Sequence, residues 1–340
     1  TRMLTKKRSR YRKKKAAYIL TGCAVLIVAA VFGAGIWKKK QTASPHLKKS
    51  ENSVSMDQQE DGITYKGKTY TYNDHLSNFL FMGIDTRGEV ENQETDNTGQ
   101  ADAIFLVSMD RVTEQIHVIS IPRDTITEIE VFTVGGKSLG KMENHINLQF
   151  AQGDGKRESC ELMEDAVSDL FGGIHIQSYC AVNMDAIPVM TEIAGNVEVT
   201  VPDNSLAEVN PEFTEGAEVV LTKDNVEQFV RYRDIDQTQS ALVRQNRQKS
   251  FLQAYMKKAQ EEYQKDASFV TRLYDSLRSY MVTNMGNDIF VKFLTATEKN
   301  PPVTHTVPGE GVQGDYYDEF HVDQDGLQDL IYSVFYKEDK

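Results

Sequence analysis

Seven consecutive residues, Ala103–Met109 (AIFLVSM), carry no charge and offer apolar side chains to both sides of an extended chain. A strand of this kind must be covered on both faces, which sets it inside a layered α/β fold. Two further strands are expected near it, Asn78–Ile84 (NFLFMGI) and Gln115–Ile121 (QIHVISI). The link Asp110–Glu114 is short, so the second and third strands form an antiparallel hairpin. Ile176–Asn183 and Val197–Val201 also read as strands, and Ile63–Tyr72 as a small hairpin turning at Lys66-Gly67. Helical periodicity covers Asn144–Gln152, Glu158–Phe171, Met184–Ile193, Thr222–Arg231, Ser240–Gln264, Ser268–Met285, Asn287–Glu298 and Leu327–Tyr336. Strands and helices interleave without a second linker. The expected architecture is one domain, residues 63–338, folded as a three-layer α/β/α sandwich around a central mixed sheet.

The N-terminus is different in kind. Ala16–Trp37 is a 22-residue stretch without a charge. As a helix it would be about 33 Å long, enough to cross a hydrocarbon core. Nine Lys/Arg lie in residues 1–15, and Lys38–Lys40 follow the stretch. The heavier basic flank keeps residues 1–15 in the cytosol as a basic tail, residues 16–37 in the membrane and the remainder outside. A cleaved signal peptide is the alternative, but the apolar run exceeds the usual h-region of about 7–15 residues. Residues 38–62 are polar and aperiodic, a linker with a span of roughly 25–30 Å that tethers the domain near the bilayer.

Charge follows the same division. Residues 1–50 hold 14 basic and no acidic side chains, leaving 24 basic against 50 acidic in the remainder. A body that acidic is a poor match for nucleic acid. An anionic ligand there needs a local group of Arg or a metal ion. Of the three Cys, Cys23 lies in the apolar stretch. Cys160 and Cys180 fit either a disulfide or two buried thiols.

Chemistry-bearing residues stand at the strand ends. Asp85 ends the first strand, Asp102 opens the second, and Arg123 and Asp124 end the third. If the first two strands are antiparallel neighbours, Asp85, Asp102 and Arg123 share one edge of the sheet. Two neighbouring carboxylates repel unless a cation or a proton lies between them. A hard divalent ion with oxygen ligands resolves this. Guanidinium groups do not ligate such an ion but suit phosphate oxygens. Later in the chain come Arg231, Arg233, Arg244 and Arg247 with Gln245 and Gln248. Arg231 and Arg233 point the same way only if the helix has ended between them. Arg244, Arg247 and Gln248 share one helical face, the usual pattern of a solvated surface.

Taken in order, FLFMGIDTR (79–87), ADAIFLVSMD (101–110), ISIPRDT (119–125), KMENHIN (141–147), IAGNVEVTVP (193–202), FVRYRD (229–234) and LVRQNRQ (242–248) resemble the LytR–CpsA–Psr family of bacterial envelope proteins. The resemblance implies a single-pass membrane protein of a Gram-positive-type envelope with an external catalytic domain. It implies a phosphotransferase that takes a glycopolymer, such as teichoic acid or capsular polysaccharide, from a polyprenyl-pyrophosphate carrier. The polymer is joined to peptidoglycan by a phosphodiester to N-acetylmuramic acid. Carried over by position, Asp85 and Asp102 hold Mg²⁺ (or Mn²⁺), and Arg87, Arg123, Arg231, Arg233, Arg244 and Gln248 bind the pyrophosphate. Arg123 belongs to the catalytic group, and either Asp102 or Asp124 accepts the proton of the attacking hydroxyl. Members often carry Arg where this chain has Gln100, and Gly-Asp where it has Ser240-Ala241. Those departures also fit a non-catalytic binding or regulatory module for lipid-linked polymer, and a further alternative is a hydrolase of the lipid pyrophosphate with water as the nucleophile.

Overall fold

The ten residues of the strand Ala101–Asp110 are all buried, so the expectation of a doubly covered strand holds over a longer span than AIFLVSM. The computed structural model describes residues 62–93, 98–232, 240–300, 302–314 and 318–339. The basic tail, the apolar stretch Ala16–Trp37 and residues 38–61 of the linker lie outside them. Among the described residues, no helix is long and apolar enough to cross a membrane.

In chain order the elements are β1 (Ile63–Tyr65), β2 (Lys68–Tyr72), β3 (Leu76–Ile84), β4 (Ala101–Asp110), β5 (Ile116–Ile121), β6 (Ile126–Phe132), β7 (Ser138–His145), α1 (Arg157–Leu170), β8 (Ser178–Asn183), α2 (Ala186–Ile193), β9 (Val197–Thr200), β10 (Glu218–Leu221), α3 (Val226–Arg231), α4 (Ser240–Lys265), α5 (Phe269–Leu277), β11 (Met281–Thr283), α6 (Asn287–Lys299), β12 (Val303–Thr306), β13 (Gly309–Gln313), β14 (Asp318–Val322), α7 (Gln324–Phe335) and β15 (Tyr336–Glu338). Six strands form the central sheet in the order β11-β8-β3-β4-β5-β12. β3 runs antiparallel to β4 and parallel to β8, while β5 is antiparallel to β4 and parallel to β12. The sheet is therefore mixed. The ends of β3, β5, β8 and β12 and the start of β4 all meet at one edge.

Each face of the sheet has its own core. Phe79, Phe81, Phe105 and Val107 face residues of α2 to α6, including Met190, Phe251, Tyr255 and Phe293. Leu80, Met82, Ile104 and Leu106 face α1 and α7, through Met163, Val167, Ile331 and Phe335. Alternation along β3 and β4 sends neighbouring residues to opposite cores, which makes three layers. On α1 the buried residues Ser159, Cys160, Met163, Ala166 and Val167 recur at helical spacing. That helix stops where Gly172 and Gly173 take positive φ, and the Gly173 N–H donates to the carbonyl of Ser168 at 2.8 Å. The one hydroxyl inside β4 is satisfied, since Ser108 donates to Asn78 Oδ1 at 2.7 Å across the β3–β4 ladder. Lys66 and Gly67 both have positive φ, as a two-residue hairpin turn of β1 and β2 requires.

Two expectations are corrected. Asn144–Gln152 is not one helix. Pairing of Ile126 with His145 carries β7 through the latter residue, and a 3₁₀ helix, Ile146–Gln152, begins after it. Ser268–Met285 is not continuous either. The helix ends at Leu277, and Met281–Thr283 pairs with β8 as an edge strand, because the sheet offers the backbone a ladder that local periodicity does not anticipate. The hairpin of β6 and β7 and strands β10 and β12 to β14 carry no clear apolar run and escaped the sequence reading. Cys160 and Cys180 are both free and buried, one in each core.

Phe81 is fully buried, with its ring edge-on to Phe293 at 5.9 Å and Phe290 at 6.5 Å between centroids. Phe81→Ala removes a large ring from a packed interface between sheet and helices. It is expected to lower the unfolding free energy by about 3–5 kcal/mol, read from urea denaturation of the purified protein.

Candidate functional site

The edge where strand ends meet gathers the carboxylates and guanidinium groups. Asp85 follows β3, and its backbone N–H donates to the Gln100 carbonyl at 3.2 Å. The Gln100 N–H returns a 2.6 Å bond to Asp85 Oδ1. Gly99 makes this closure sterically feasible. Its φ is +79°, and a Cβ there would lie 2.5 Å from Thr86 Cγ2 and 3.0 Å from Asp85 Oδ1. Burial raises the Asp85 pKa above its ordinary 3.8, and the two backbone N–H groups and the charge of Arg123 offset only part of that.

Asp102 lies within β4, its side chain 1% exposed, and Oδ1 accepts from Arg123 Nη1 at 2.6 Å. Arg123 also reaches Asp124, with Nε 3.4 Å from Oδ1. Arg123 stands just past β5, and β5 is the neighbour of β4, so sheet order alone brings the pair together. Asn147 braces the same corner. Its backbone N–H donates to the Arg123 carbonyl at 3.3 Å and its amide to Gln100 Oε1 at 3.2 Å. Asp85, Asp102, Arg123 and Asp124 thus stand at one edge.

A second group adjoins the first through the chain Asp85-Thr86-Arg87. Arg87 Nη1 is 2.6 Å from Asp185 Oδ1, and its Nη2 is 2.8 Å from Glu227 Oε2. Glu227 also pairs with Arg231 Nη1 at 3.2 Å. Asp185 follows β8, which lies beside β3, while Glu227 and Arg231 share one face of α3. The helix ends at Arg231, since Tyr232 takes φ −55° and ψ 136°. Arg233 lies outside the described residues, as do Glu94 and Asp96 of the β3–β4 connection. Arg244 and Gln248 fall in α4, and their side chains lie outside the described part.

Arg247 corrects the reading of a solvated face. It is 1% exposed and donates from Nε to the Phe229 carbonyl at 2.9 Å, and through its other nitrogens to Ser205 Oγ and the Tyr232 carbonyl. Its position is structural, binding α4 to the end of α3 and so fixing where Arg231 stands. Asp185, Glu227 and Asn147 were missed. The i,i+4 spacing of Glu227 and Arg231 was visible in the sequence, but its link to Arg87 spans 140 positions. Asp185 needed the β8–β3 pairing to become a neighbour.

Among the described residues, no cluster of three or more His, Cys, Asp or Glu could enclose a metal ion. The donor set fits an ion that takes the rest of its ligands from elsewhere. Mg²⁺ commonly uses one or two carboxylates together with substrate phosphates. A half-buried Asp85 whose desolvation is only partly offset is the kind of group a cation stabilises.

The model of the LytR_cpsA_psr family matches residues 36–334. The chain is 28% identical over 250 residues to a Bacillus cereus protein named polyisoprenyl-teichoic acid–peptidoglycan teichoic acid transferase TagU, covering 73% of this chain and 72% of that one. The crystal structure of Bacillus subtilis TagV superposes with a TM-score of 0.54 at 19% identity, over 76% of this chain and 95% of that chain. The structure of TagT bound to LI-WTA gives 0.53 at 18% identity, over 83% and 97%. These two likenesses are of fold.

Arg247→Ala leaves two backbone carbonyls and Ser205 without their charged donor. It is expected to lower stability by roughly 3 kcal/mol or more, measured by denaturant unfolding. Gly99→Ala is expected to unseat Asp85 and to lower the unfolding free energy by about 1–3 kcal/mol in the same measurement, because a Cβ at this positive φ runs into Thr86 and Asp85.

Proposed function

The chain belongs to the LytR_cpsA_psr family, and from that premise we propose that it transfers a glycopolymer from a polyprenyl-pyrophosphate carrier to peptidoglycan through a phosphodiester. The Bacillus cereus relative's name describes a reaction of this type on teichoic acid. The observation that carries the reading is the meeting of Asp85, Asp102 and Arg123 at one sheet edge beside Arg87 and Arg231. In the same proposal the apolar stretch Ala16–Trp37 anchors the protein in the cell membrane, with the catalytic domain outside.

The chemistry is a displacement at phosphorus. A hydroxyl of N-acetylmuramic acid attacks the phosphorus that carries the polymer's first sugar. The new P–O bond forms as the bond to the lipid phosphate breaks, and polyprenyl phosphate leaves. Positioning and charge stabilisation dominate such transfers. Arg123 is held by a buried carboxylate on one side and Asp124 on the other, so its orientation is set before substrate arrives. Of the two candidate bases, Asp124 is the accessible one, with a side chain 31% exposed against 1% for Asp102. Asp124 accepts the hydroxyl proton, and Asp102 fixes Arg123.

Among the described residues of this edge, three guanidinium groups face five carboxylates: Arg87, Arg123 and Arg231 against Asp85, Asp102, Asp124, Asp185 and Glu227. A pyrophosphate brought to this balance calls for more positive charge. Mg²⁺, held by Asp85 and Asp102, would supply it when bound, neutralising phosphate oxygens.

Purified protein, lipid-linked oligosaccharide, Mg²⁺ and peptidoglycan fragments, followed by mass spectrometry, test the reading. An adduct joined through one phosphate is expected, and Arg123→Lys, which keeps a cation beside the buried Asp102, should lower its rate by about 10²-fold or more with the fold retained. Binding of the lipid-linked substrate without an adduct would point to a regulatory module. Free sugar phosphate without peptidoglycan would point to a hydrolase.

The pH dependence follows from Asp85. Its raised pKa means that folding disfavours its charged form, so the proton stays on to a higher pH than in the unfolded chain. Metal and proton then compete. Below the Asp85 pKa, each unit fall in pH should raise the half-saturating Mg²⁺ concentration by up to about tenfold in calorimetric titration. Asp85→Asn should remove that dependence along with most of the affinity.

A further inference from the structure

Arg87 and Arg231 come from different parts of the chain, and one carboxylate joins them. Glu227 Oε1 accepts from Arg87 Nη1 at 3.1 Å and Oε2 from Arg87 Nη2 at 2.8 Å. The same Oε2 accepts from Arg231 Nη1 at 3.2 Å. A two-pronged grip on one guanidinium, with an oxygen shared to a second, is the pattern a phosphate group makes with two arginines. Arg231 has donor capacity to spare, since its Nε is buried without a hydrogen-bond partner among the described residues.

The other acid of the group is held differently. Asp185 Oδ1 meets Arg87 at 2.6 Å, but Oδ2 accepts the backbone N–H of Gly88 at 2.7 Å. Asp185 is thereby fixed to the β3–β4 connection and braces Arg87 in place. Among the described residues, Glu227 is bonded only to the two guanidinium groups and can swing away without breaking a backbone contact.

We propose that Glu227 is an internal stand-in for substrate phosphate, occupying the Arg87–Arg231 pair until the lipid-linked pyrophosphate displaces it. This rests on the transferase reading above, in which those two arginines bind phosphate. Together with Asp185, Glu227 keeps the pair aligned and neutral when the site is empty, which spares two guanidinium groups from mutual repulsion. It also weakens ground-state binding, because each phosphate must expel a carboxylate. After transfer, the departing lipid monophosphate offers one phosphate group to the arginines where the pyrophosphate offered two, and Glu227 competes better against it. The residue therefore sets substrate affinity and favours product release without touching the reacting atoms.

Glu227→Gln keeps the shape and removes the charge. With inorganic pyrophosphate and Mg²⁺ as the probe, calorimetry at fixed ionic strength should show roughly tenfold tighter binding than wild type. In the transfer assay KM for the lipid-linked substrate should fall by a similar factor, with kcat unchanged or reduced as product leaves more slowly. Glu227→Asp, which keeps the charge on a shorter arm, should bind close to wild type. Asp185→Asn, which loosens the brace, should bind more weakly. Melting temperatures of all three variants check that the fold is retained. Equal or weaker pyrophosphate binding by Glu227→Gln, with wild type binding normally, overturns the inference and leaves Glu227 as a structural bridge, while the transferase reading stands. Pyrophosphate that binds neither wild type nor Glu227→Gln removes both the inference and the reading beneath it.

Discussion

A strand buried along its whole length, with a carboxylate near its start, is the constraint on which the rest depends. β4 has no solvent face, so each side of the sheet must be roofed, by α2 to α6 on one side and by α1 and α7 on the other. Asp102 is part of that strand, and a buried carboxylate needs a cation and hydrogen bonds close by. Arg123 meets the need from the neighbouring strand's end. The same pairing that stabilises the middle of the fold therefore places a positive charge, correctly oriented, at the sheet edge.

The edge works by balancing charges that strand order forces together. Every guanidinium group described there is already engaged by an acid: Arg123 by Asp102 and Asp124, Arg87 by Asp185 and Glu227, Arg231 by Glu227. Such a site does not attract a polyanion by bare positive charge. Asp85 is raised above its ordinary pKa because burial disfavours its charged form, and the charge of Arg123 offsets only part of that. The arrangement agrees with a body that holds 24 basic against 50 acidic residues beyond position 50.

Much of this was legible in advance, for identifiable reasons. The strands of the centre were readable because their apolar runs are long, and the hairpin of β4 and β5 because its link is short. The meeting of Asp85, Asp102 and Arg123 followed from strand order, since neighbouring strands must share an edge. What was misread has a common cause. β7 and β11 form because a partner strand lies beside them, and a helical periodicity in the same residues does not reveal that partner. Arg247 looked solvated because helical spacing gives a face without saying whether that face is covered.

The order of apolar runs, the polar punctuation and the placing of acids and arginines at strand ends were properties of the sequence alone. They determined the layered α/β architecture and the edge at which chemistry gathers, because both follow from periodicity and from local connections. Tertiary structure alone decided that Arg87, Asp185, Glu227 and Arg231 form one network, that Arg247 is a buried brace and that Asp85 is desolvated. Those facts depend on contacts between positions far apart in the chain and on which surfaces lose water. Neither quantity has a local signature, since a charged side chain reads the same in sequence whether it ends in solvent or in a buried pair.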